Sequence, residues 1–69
     1  MKTPKIKTYE FETPWEAMEH AAATGWVAIY WEQKCRSVRQ ESADRLQAIG
    51  VKFSYICEQN DQIVLVPVN

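Results

Sequence analysis

The 69-residue sequence is poor in the residues that build compact chemical sites: two isolated glycines, one histidine and two cysteines. Gly25 and Gly50 stand alone, which excludes a glycine-rich loop cradling phosphate. Cys35 and Cys57 form no CxxC pair, and His20 is not grouped with them, so neither metal nor cofactor is expected. No apolar run reaches the ~18 residues of a membrane span. The opening MKTPKIKTYE lacks the apolar region of a signal peptide, so a cytoplasmic location with both thiols free is the expectation. Charge of one sign is missing too. Eight basic residues face nine acidic ones, a net charge of −1, and no long-range field steers the chain onto nucleic acid or an anionic membrane.

What is present is apolar surface. Hydrophobic residues make up 46% of the chain and charged ones 25%, a globular balance. Residues 1–69 form one small domain, and a chain this short buries only about 60% of its surface on folding. Three tryptophans supply much of what it can bury. A catalytic pocket of its own demands volume that so thin a core lacks, so an enzyme is not expected.

Lys5–Phe11 (KIKTYEF) reads as a first strand. Thr13-Pro14 then opens a helix, with Glu16 completing a capping box and Gly25 as its left-handed stop. Its inner face is expected to be Trp15, Met18, Ala21 and Ala22, with His20 in solvent. The stretch Trp26–Trp31 (WVAIYW) is a strand with Trp26, Ala28 and Tyr30 on one face and Val27, Ile29 and Trp31 on the other. Neither face is polar, the mark of a strand covered on both sides.

A second helix over 38–49 is expected, capped by Ser37 and stopped by Gly50, with inner residues Val38, Ser42, Leu46 and Ile49 and a Glu41–Arg45 pair outside. In VKFSYIC, Val51, Phe53, Tyr55 and Cys57 alternate inward, with Ile56 the exception. Asn60-Asp61 makes the turn into the last strand, IVLVPV, where Pro67 implies an edge. The expected fold is α+β: a two-layer α/β sandwich, β-α-β-α-β-β, with two helices on one face of a four-stranded mixed sheet.

That order and length resemble the TusA/SirA sulfur-carrier family. The family opens its first helix with a sulfur-bearing Cys-Pro motif; here Thr13-Pro14 stands in that place, so the resemblance implies a topology and not a nucleophile.

Three functional expectations follow. If two helices cover one face, the other face of Trp26–Trp31 is left open, and a non-catalytic protein-interaction or regulatory module is indicated, a homodimer or a binder of another protein. Its candidate contact residues are Trp26, Tyr30, Trp31 and Ile56. The alternative is a thiol carrier or enzyme using Cys35, which stands between Lys34 and Arg36 before the second helix, where cations and a helix start lower a thiol's pKa. A third reading is weak nucleic-acid binding through Lys34, Arg36, Arg39 and Arg45, disfavoured by the interleaved Glu32, Glu41 and Asp44.

Overall fold

The computed structural model describes residues 6–69. These form β1 (Tyr9–Phe11), α1 (Pro14–Thr24), β2 (Val27–Trp31), β3 (Lys34–Val38), α2 (Gln40–Ala48), β4 (Phe53–Gln59) and β5 (Gln62–Val68). The expected first strand is thus shorter, and its Lys5 lies outside the described residues. The α+β class holds, but the sheet has five strands in the order β1-β3-β2-β4-β5, and every neighbouring pair is antiparallel.

The added strand is β3, which takes residues that read from sequence as a loop, a helix cap at Ser37 and the first helical residue, Val38. It follows β2 through a tight turn in which Glu32 and Gln33 hold φ values of 54° and 64°. Such turns normally announce themselves with Asn or Gly. This one carries neither, and Arg36 holds it instead: its guanidinium lies 3.2 Å from Glu32 Oε1, and its Nε donates to the Trp31 carbonyl. With Ser37 inside β3, α2 begins later and takes Arg39 as an N-cap whose side chain caps nothing. The β-α-β-α order behind the TusA/SirA resemblance is broken by the same strand.

The layers also differ from expectation. Val27, Ile29 and Trp31 pack with Ala43 and Leu46 of α2, whereas Trp26, Ala28 and Tyr30 pack with Ala17 and Ala21 of α1. Since alternate residues of a strand point to opposite faces, the helices lie on opposite sides of the sheet. The topology explains it. The steps β1-α1-β2 and β3-α2-β4 both cross one intervening strand in the same lateral direction, but β1 and β3 run antiparallel. Two crossovers of the same hand must then place their helices on opposite faces, and strand twist favours one hand.

Helix α1 forms for the reasons its sequence announces. Thr13 Oγ1 accepts the Glu16 N–H at 3.3 Å and donates to the Glu16 carboxylate, Pro14 is the first helical residue, and Gly25 ends it at φ 77°. Its inner face is rotated from the expected one. Ala17 and Ala21 are buried with Met18 beside them, Ala22 is exposed, and Trp15 is 47% exposed. Small residues on the helix meet Ala28 on the sheet, an approach too close for an indole. In α2, Ala43 and Leu46 are buried while Ile49 faces outward as the C-cap, and Gln40–Asp44 bond in place of Glu41–Arg45.

Candidate functional site

The basic residues are placed first. Lys34 and Arg36 project to the α2 side of the sheet, where Lys34 Nζ lies 3.1 Å from Glu10 Oε1 and Arg36 lies between Glu10 and Glu32. Arg36 is buried, its guanidinium 4.9 Å from the centre of the Trp31 ring. Arg39 lies over Trp26 and, together with exposed Arg45, lines an open depression shared with Lys7, Ser42 and Glu41. The four cations thus fall into two pairs: Lys34 and Arg36 are engaged by Glu10 and Glu32, while Arg39 and Arg45 share a depression that also holds Glu41.

Cys35 sits on the opposite face of β3, with register partners Phe11 and Tyr30. Strand alternation turns Lys34 and Arg36 away from it, and no helix starts at its backbone. Burial pushes its thiol pKa up, the reverse of what its sequence neighbours suggest. Cys57, expected in the core, is exposed. It lies past Tyr55, the last β4 residue in register with β2, so nothing covers it from that side.

His20, expected in solvent, is instead ringed by Tyr9, Phe11 and Trp26 at centroid distances of 4.9, 5.4 and 5.6 Å. Its Nδ1 lies 2.9 Å from Ser37 Oγ. A serine and a histidine in contact suggest a nucleophile and its base, but Ser37 is wholly buried and no substrate reaches it. The pair ties α1 to β3. No sequence signal marks it, because Ser37, three residues before Gln40, reads as a helix cap. Among the described residues, no group of three His, Cys, Asp or Glu side chains gathers as metal ligands, and no helix is long and apolar enough to cross a membrane.

Of the candidate contact residues, Trp31 and Ile56 are buried within the chain's own two core clusters, and Trp26 and Tyr30 are half-buried against α1. The apolar surface that remains open lies further out, on the β4–β5 hairpin. Both strands are seven residues long, but β2 accompanies β4 only at Ile29↔Tyr55 and Tyr30↔Ser54. Residues 57–62 are all exposed. Strand β5 forms the sheet edge and carries Ile63, Leu65 and Pro67 on the α1 side, with Val64, Val66 and Val68 on the other. Leu65 is 44% and Val66 45% exposed. Apolar side chains on both faces are the pattern of a central strand, here found at a border.

The hairpin turn decides which backbone groups are free. Asn60 and Asp61, at φ 52° and 61°, make a two-residue turn, so Gln59 and Gln62 form the closing hydrogen-bonded pair. Alternation then directs Gln62, Val64, Val66 and Val68 to β4, and Ile63, Leu65 and Pro67 outward. Pro67 lacks an N–H and occupies a position where the sheet asks for none.

No protein-family model, curated protein or solved structure matches this chain.

Proposed function

We propose that this protein is a small non-catalytic interaction module and that its working surface is the β4–β5 hairpin with the open edge of β5. One observation carries the reading: an uncharged seven-residue strand, apolar on both faces, borders the sheet with the N–H groups of Ile63 and Leu65 directed outward. Edge strands normally carry a lysine, a glutamate or an irregularity that repels another strand. β5 has only Pro67, near its end. Recognition by strand addition uses such an edge: the backbone supplies affinity, and alternate side chains supply selectivity.

This reading keeps an apolar sheet surface as the contact but moves it from Trp26–Trp31 to Ile63–Val66. The thiol reading has less support, since burial of Cys35 disfavours its thiolate. Nucleic-acid binding also has less, because Glu10 and Glu32 engage Lys34 and Arg36.

A photo-crosslinking residue placed at Val66, and for comparison at exposed Ala22 on α1, tests the proposal in the protein's own cell. Discrete adducts are expected from position 66 alone, and they should vanish when Leu65→Pro removes an outward donor. Adducts equal at the two positions, or none from position 66, would overturn it.

A further inference from the structure

We infer that the occupant of the β5 edge is the β5 strand of a second copy, paired antiparallel about a two-fold axis at Val64, so that two sheets become one. The inference rests on the interaction reading above and specifies its partner.

The strand is its own complement. With Val64 opposite Val64 of the second copy, Ile63 of each chain faces Leu65 of the other, and both residues direct their N–H and C=O outward. Every outward donor of Ile63 and Leu65 therefore meets a carbonyl. Gln62 lies opposite Val66, and Asp61 opposite Pro67, so no charge meets a like charge anywhere along the pairing. A charged edge would forbid association of identical strands; a neutral one permits it.

Pro67 selects the register. Sliding to Leu65 against Leu65 brings the Pro67 ring against the outward carbonyl of Ile63 and leaves that carbonyl without a donor. Centred on Val64, the ring falls opposite the turn, beyond the paired residues. The other border of the sheet, β1, has three residues with Glu10 at its middle, and it offers no comparable edge. One edge of seven residues falls short of the ~1,200–2,000 Å² of a standard stable interface, so the dimer is weak and is read at roughly 10 μM to 1 mM protein.

Sedimentation equilibrium of the full chain over that range tests association, and cysteine crosslinking tests register. In a Cys35→Ser/Cys57→Ser background, Val64→Cys should give a disulfide-linked dimer under mild oxidation, because residues facing each other at such a pair lie ~4.5 Å apart at Cα. Val66→Cys, as exposed but facing Gln62, should not. Val64→Lys should weaken association about tenfold or more, with its circular dichroism and melting unchanged. Leu65→Pro should abolish association by a different route, deleting a donor that the hairpin itself does not use.

A wild-type chain that stays monomeric throughout, while position 66 still crosslinks to another protein in the cell, overturns the self-pairing and leaves the interaction reading standing. Monomer with no adducts overturns both. Crosslinking through Val66→Cys as fast as through Val64→Cys overturns the two-fold at Val64.

Discussion

Gln33 makes no side-chain hydrogen bond among the described residues, yet it holds φ 64°. A left-handed conformation costs an L-residue about 1–2 kcal/mol, and glycine escapes that cost. Gln33→Gly is therefore expected to stabilise the protein by about 1 kcal/mol, read as a higher denaturant midpoint with an unchanged slope. Glu32→Gly should gain less or nothing, since it also deletes the carboxylate that pins Arg36. The two thiols offer a second test at this scale. Cys57 is exposed and Cys35 is packed among Phe11, Tyr30 and α1. Iodoacetamide should modify Cys57 first, with Cys35 following a pH midpoint above its ordinary value of 9.0. A raised folded-state pKa favours the protonated thiol in the native state. Its contribution to stability is therefore full below the unfolded pKa and is lost as pH rises through the folded one. Stability should fall on the alkaline side, and Cys35→Ala should flatten that fall.

At the scale of elements, α1 was legible from the sequence and β3 was not. Thr13, Pro14, Glu16 and Gly25 are local signals, each acting within one turn of helix, and all four perform as their positions suggest. Asn60-Asp61 is local in the same sense. The turn at Glu32-Gln33 carries no residue that favours its left-handed backbone; Arg36 holds it through Glu32 and the Trp31 carbonyl, and Arg36 is itself held by Glu10 of a distant strand, a combination that no turn signal announces. Helix α1 sits on Ala17, Ala21 and Ala28, and its seat should be intolerant of bulk. Ala17→Leu is expected to cost about 1–3 kcal/mol by overpacking, whereas Trp15→Ala, on the exposed side, should change stability by less than about 0.5 kcal/mol. Thermal melts of the two variants check both. Arg36→Ala should be more damaging than Lys34→Ala, since Arg36 is buried with two carboxylates and a carbonyl while Lys34 holds one exposed pair.

For the whole molecule, the sequence carried two strands apolar on both faces, and their environments diverge. Trp26–Trp31 is central, with α2 packed on one face and α1 partly covering the other; Ile63–Val68 is at the border. Periodicity alone treats the two alike; Pro67, which has no N–H to offer a neighbour, is what marks the second as a border strand. The border position was hence legible from one proline, whereas the open surface was not, since the apolar pattern of Ile63–Val68 matches that of the covered Trp26–Trp31. Removing the edge's apolar character should raise solubility without loss of fold. A Val66→Lys variant is expected to keep its melting temperature within a few degrees while reaching higher soluble concentrations before light scattering rises.

The sheet also divides the interior into two half-cores that share its backbone, and each holds a tryptophan in a different environment. Trp31 lies under Arg36 on one side; Trp26 stacks on Tyr9 and meets His20 on the other, while Trp15 remains in water. Single-tryptophan versions thus turn the chain into its own set of optical reporters. If the backbone layer couples the halves into one cooperative unit, emission from Trp26 and from Trp31 should change at the same urea concentration.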